Sequence, residues 1–125
     1  MLQHRGLPGT HDVELALTIF SKLRRGDHAL IPRYDKSAYN GHGDRMDRSC
    51  WTEVNKEGER KVEIVVIEGW CVGFKPLSTV ELESKWRKAA SLSKTQKYEG
   101  KLGHLELDNI QIINENLHSY QKLTK

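Results

Sequence analysis

Three observations predict an α/β fold built on a parallel sheet. The run Lys61-Val62-Glu63-Ile64-Val65-Val66-Ile67 is β-branched and nearly continuous in its apolar half, as a central strand covered on both faces requires. Near the N-terminus Val13, Ala16, Leu17, Phe20 and Leu23 recur at three- and four-residue spacing, the period of an amphipathic helix. Near the C-terminus Ile110, Ile113, Leu117 and Tyr120 fall on one face of a second such helix.

The elements follow in chain order. Arg5-Gly6-Leu7-Pro8-Gly9-Thr10-His11-Asp12 is a turn-rich loop whose Thr10 is a good N-cap, with Asp12 and Glu14 in the first turn. A helix is expected over 11–25, with Lys22, Arg24 and Arg25 suited to its C-terminal dipole and Gly26 as C-cap. Ala29-Leu30-Ile31-Pro32-Arg33-Tyr34 reads as a short strand or extended segment. Residues 35–48 form a polar loop holding Gly41 and Gly43, and loops of that length are uncommon unless they bind something. The strand over 61–67 comes next and ends at Glu68-Gly69-Trp70. Beyond Pro76, residues 78–97 are helix-permissive but weakly amphipathic, and residues 78–104 read as a basic insertion or exposed helix. Asp108 is the expected cap of the last helix.

Composition bounds the class. A chain of 125 residues, 37% of them hydrophobic, suits one domain. A charged fraction of 30% and a mean hydropathy of -0.66 describe a solvated surface. The longest apolar run, residues 64–67, is far too short to span a bilayer, so no membrane partner is expected. The opening Met1-Leu2-Gln3-His4-Arg5-Gly6 has no basic n-region followed by an apolar stretch, and a cytoplasmic setting is the expectation. Cys50 and Cys71 lack the companions that a disulfide framework or a zinc site needs. A net charge of +3 is compatible with an anionic ligand such as a nucleotide without requiring a nucleic acid. Oligomeric state is left open.

Two places carry candidate chemistry. Glu68 stands where the carboxyl end of a parallel strand meets a glycine, the edge at which open α/β sheets bind ligands. There a carboxylate can hold Mg²⁺ against a transferring phosphoryl group, or it can simply begin a surface loop. The loop Tyr34-Asp35-Lys36-Ser37-Ala38-Tyr39-Asn40-Gly41-His42-Gly43-Asp44-Arg45 concentrates donors and cations that can wrap a small polar substrate. Arg45 offers a bidentate fork and Lys36 a point charge; the alternative is a solvated loop in which Asp35 pairs with Lys36 or Arg45. His11 and Asp12 are open to the same two readings, helix cap or ligand contact. No G-x-x-x-x-G-K-[ST] motif occurs anywhere, so the residues that would bind a nucleotide cofactor are unknown. The basic run of residues 85–101 has six basic residues against one acidic and only Trp86 and Tyr98 as aromatics, which reads as a solvated face.

Taken in order, Arg5-Gly6-Leu7-Pro8-Gly9-Thr10-His11-Asp12, Pro32-Arg33-Tyr34-Asp35-Lys36-Ser37-Ala38-Tyr39 with Gly43-Asp44-Arg45, and Ile67-Glu68-Gly69-Trp70 with Gly73-Phe74-Lys75-Pro76 resemble the glycerate kinase-like family of P-loop kinases of plants and fungi. The similarity extends to Asn114-Glu115-Asn116-Leu117 and Tyr120, leaving aside residues 78–104. The resemblance implies a fold similar to uridine kinase and phosphoribulokinase, a P-loop NTPase-type three-layer sandwich with a parallel sheet. Within it residues 1–125 make a single partial domain, incomplete at both ends. It implies transfer of the γ-phosphoryl group of ATP, with Mg²⁺, to a small hydroxylated substrate. On the same basis Glu68 takes the Walker B-like position near the metal as the catalytic and metal-binding residue. Tyr34, Asp35, Lys36 and Arg45 then lie in the substrate-side loop, and Arg5, His11 and Asp12 border the pocket. The family's Walker A loop and its strand ending in paired aspartates precede the first motif, and its lid follows the last helix. This chain is therefore expected to be a fragment that is inactive alone, or else a non-catalytic interaction module of the same fold.

Overall fold

The computed structural model describes residues 5–95 and 98–124; the opening residues 1–4, Lys97 of the basic run and Lys125 lie outside the described residues. The chain divides into two compact units, His11–Trp70 and a second made of Met1–Thr10 with Cys71–Lys125.

In the His11–Trp70 unit, helix α1 spans Val13–Arg25. Its cap is Asp12, whose Oδ1 accepts the Leu15 N–H at 3.0 Å, and not the expected Thr10. Gly26 ends α1 in a left-handed conformation, φ 70°, donating to the Leu23 carbonyl while Asp27 donates to that of Lys22. That pair of bonds is a Schellman ending. No atom lies within 4 Å of where a Cβ would stand, so the backbone angle alone selects glycine there.

Four short strands follow: β1 Ala29–Ile31, β2 Tyr34–Asp35, β3 Asp44–Arg45 and β4 Thr52–Val54. They make two antiparallel ribbons, β1 with β4 (Ala29 opposite Val54) and β2 with β3 (Tyr34 opposite Arg45). The extended segment expected from residue 29 thus splits in two, and its second part folds the polar loop back on itself.

The described residues do not themselves form the expected parallel sheet. Among the described residues both sheets are antiparallel, and residues 61–67 belong to neither. Ile64 and Val66 are 81% and 85% exposed. β-branched side chains favour an extended backbone, but a ladder also needs a neighbouring strand to receive its N–H and C=O groups. Among the described residues the antiparallel pairs close locally, and no strand lies in a ladder with this run.

In the other unit, helix α2 spans Thr79–Leu92 and helix α3 Leu107–Tyr120. Ser78 and Glu81 form a reciprocal capping box at the start of α2, which ends at Leu92, short of the expected 97. At α3 the cap position is Glu106, without a side-chain cap bond, and Asp108 lies in the first turn, where a carboxylate suits the helix dipole. Asn114 of α3 holds the main chain entering α2 from both sides, accepting from Leu77 N–H at 2.8 Å and donating to its carbonyl at 2.9 Å. The 3₁₀ turn Leu102–His104 lies so close to α2 that a Cβ on Gly103 would stand 2.2 Å from the Ala89 carbonyl oxygen. Leu82, Ala89, Cys71 and Tyr120 are buried in this unit, and Val13, Ile19 and Ala29 in the other. No helix among the described residues is long and apolar enough to cross a membrane.

Candidate functional site

Most of the candidate residues fall in the His11–Trp70 unit. The β2–β3 ribbon carries them, and its tip is tightly wound. Tyr39 and Asn40 have φ of 51° and 57° and Gly41 follows at 90°. Gly43 N–H closes the turn on the Ala38 carbonyl at 2.8 Å. Asparagine and glycine tolerate left-handed angles; a tyrosine there is uncommon and is held by its neighbours' hydrogen bonds. At the base Met46 N–H donates to the Arg33 carbonyl at 2.9 Å, and Tyr34 Oη donates to the His42 carbonyl at 3.4 Å.

The ribbon fixes two carboxylates in different ways. Asp35 Oδ1 accepts the Ser37 hydroxyl at 2.6 Å and the Ser37 N–H at 2.8 Å, which hold its acidity below the usual carboxylate range, the hydroxyl contributing most. Asp35 therefore pairs with Ser37, and with neither Lys36 nor Arg45. Asp12 divides its oxygens: Oδ1 accepts from Leu15 N–H and Oδ2 from Arg45 Nη2 at 2.8 Å, across 33 positions of sequence. The Leu15 amide first and Arg45 second lower its pKa. Asp12 is thus both helix cap and partner of the loop arginine. Lys36, His11 and Tyr34 are exposed.

Glu68 is exposed directly after the 61–67 run. Among the described residues no group of three or more His, Cys, Asp or Glu side chains is placed to hold a metal ion. A lone exposed carboxylate does fit Mg²⁺, which keeps several waters and takes one or two carboxylates together with substrate phosphates.

Sequence reasoning missed the residue that leads the chain toward Glu68. Asn55 is 2% exposed with φ 57°. Its Nδ2 donates to the Asp27 carbonyl at 3.0 Å and its Oδ1 accepts the Val62 N–H at 2.6 Å. Lys61 Nζ reaches its main-chain oxygen at 3.1 Å. One side chain thereby joins the end of α1 to the start of the 61–67 run. The available signal was an asparagine just before the turn-forming Lys56-Glu57-Gly58, where left-handed angles are tolerated.

Arg5 belongs to the other unit, at the start of a loop whose three successive carbonyls all accept hydrogen bonds. Gly6 O accepts the Cys71 thiol at 3.7 Å, Leu7 O the Thr10 hydroxyl at 2.7 Å, and Pro8 O Asn116 Nδ2 at 3.1 Å. Burial pushes the Cys71 thiol up and keeps it a neutral donor.

Comparisons with known proteins agree in kind. No protein-family model matches the chain. It is 46% identical over 81 residues to a chloroplastic D-glycerate 3-kinase of Arabidopsis thaliana, which covers 62% of this chain and 17% of that protein. It is 41% identical over 83 residues to a probable ATP-dependent kinase, TDA10, of Saccharomyces cerevisiae, covering 62% of this chain and 27% of that one. Among solved structures, a D-glycerate 3-kinase from Cryptococcus neoformans var. grubii superposes with a TM-score of 0.76 and 33% identity, over 96% of this chain and 39% of that one. The chain thus spans well under half the length of each of these relatives.

Proposed function

We propose, on the premise that the chain belongs to the glycerate kinase-like family over the part of its relatives that it spans, that it is the substrate-side segment of an ATP-dependent kinase for a small hydroxylated acid. The observation that carries this reading is the 2.8 Å pairing of Arg45 with Asp12, which joins two of the family-like motifs from either side of α1 and the first strands. In such a reaction the substrate hydroxyl attacks the γ-phosphorus in line and ADP departs. Protein catalysis is then mostly positioning and neutralisation of charge. Lys36 and Arg45 would meet the acid's negative charge, and Tyr34, Asp35 and His11 would orient its hydroxyls. Glu68 would hold Mg²⁺, which when bound neutralises charge on the phosphate oxygens.

The same 125 residues contain no G-x-x-x-x-G-K-[ST] cradle for the β- and γ-phosphates. We therefore expect no ADP production from ATP and D-glycerate by the purified chain, while D-glycerate itself still binds. A coupled assay and a calorimetric titration check the two halves; steady turnover would overturn the first and a flat titration the second.

A second reading is favoured by one observation, the exposed apolar segment Ile64-Val65-Val66-Ile67 with Trp70 at 77% exposure. An exposed apolar segment of this composition suits an interaction module that docks against a partner. A monomeric, cooperatively melting chain that binds no D-glycerate would favour it.

A further inference from the structure

We propose that Asp12 stands in for the substrate's carboxylate, and that Arg45 selects an acid over a neutral polyol by exchanging Asp12 for it. This rests on the reading of residues 34–45 as the substrate-side loop and adds to it the means of discrimination.

The geometry of the pair carries the inference. Asp12 meets Arg45 with a single oxygen, Oδ2 on Nη2 at 2.8 Å, while Oδ1 accepts from the Leu15 amide. A guanidinium presents parallel N–H groups whose best partner is a carboxylate offering both oxygens at once. The resident contact is therefore single-pronged where an incoming acid can be two-pronged. Both side chains are 43% exposed, so solvent and ligand reach them. Exposed pairs of this kind are weak and easily exchanged.

Release leaves neither partner stranded. Asp12 keeps its bond to Leu15 and its exposure to water, and remains the α1 cap. Arg45 keeps its place because its backbone lies in the ribbon, opposite Tyr34, with Met46 bonded to Arg33 just beyond. A neutral polyol carries no charge with which to displace a carboxylate from a guanidinium. Discrimination between acid and alcohol follows from that difference.

The test uses the whole chain with D-glycerate and glycerol as calorimetric probes, in wild type, Asp12→Asn, Asp12→Ser and Arg45→Gln. Asparagine and serine cap a helix about as well as aspartate, so both variants remove the charge and keep α1, which far-UV circular dichroism and Leu15 amide exchange verify. Removing the competitor is expected to tighten D-glycerate binding roughly 1.5- to 5-fold in both Asp12 variants. Arg45→Gln is expected to weaken it about tenfold or more. Glycerol is expected to bind weakly and equally to all four. Unchanged or weaker D-glycerate binding in the Asp12 variants with α1 intact would overturn the exchange while leaving glycerate recognition standing. A glycerol response that tracks the D-glycerate response would also overturn it. A wild-type chain that binds no D-glycerate would overturn both readings together.

Discussion

Asp12 shows how one side chain can cap a helix and hold a distant loop at once. Its folded-state pKa is depressed, by the Leu15 amide first and by Arg45 second. The stability it contributes is therefore fully present above the unfolded carboxylate pKa, about 3.9, and is lost as pH falls through the lower folded value. Urea denaturation between pH 2 and 6 should show an acid loss in wild type that is reduced in Asp12→Asn, whose cap does not titrate. Asp12→Ala removes the cap itself and should cost about 0.5–2 kcal/mol at neutral pH. Asn55 is the other residue on which this unit depends. Replacing it by alanine removes two side-chain hydrogen bonds and puts a Cβ-bearing residue without local compensation at φ 57°, at a cost of about 2–4 kcal/mol. Asn55→Gly, which accepts the angle but not the bonds, should cost measurably less than alanine. Asp12 was legible because it stands at the head of an amphipathic period; Asn55 was not, because its partners Asp27 and Val62 are distant in sequence and only the tertiary fold reveals them.

At the scale of elements, the helices were legible and the sheet was not. The α1 period, its basic last turn and its glycine ending are local signals, and each reappears in Val13–Arg25 and the Gly26 cap. The cap moved from Thr10 to Asp12 because the Thr10 hydroxyl and amide both close on Leu7 in the preceding turn. The β2–β3 ribbon hid inside a stretch read as polar loop, since two-residue strands leave no alternation to detect. The 61–67 run reveals a preference for extended backbone but not a pairing, which is a property of neighbours. In the other unit the approach of the Leu102–His104 turn to α2 is equally invisible in sequence. It yields a sharp expectation: Gly103→Ala forces a methyl against the Ala89 carbonyl and should destabilise by about 1–3 kcal/mol in chemical denaturation.

For the whole molecule, the residues proposed to face a substrate lie close together in one unit. Asp12, Tyr34, Asp35 and Arg45 gather on one ribbon and the helix start beside it, while no nucleotide-cradling motif occurs in the 125 residues. The candidate residues stood out by motif order, whereas the partner of Arg45 did not. The most direct test of glycerate recognition by this ribbon is a ¹⁵N chemical-shift titration of the chain with D-glycerate. Saturable shifts at Asp12, Leu15 and residues 34–45, together with the Arg45 side-chain signals, are expected. A titration in which those signals stay still, or in which the shifts gather elsewhere in the chain, would contradict it.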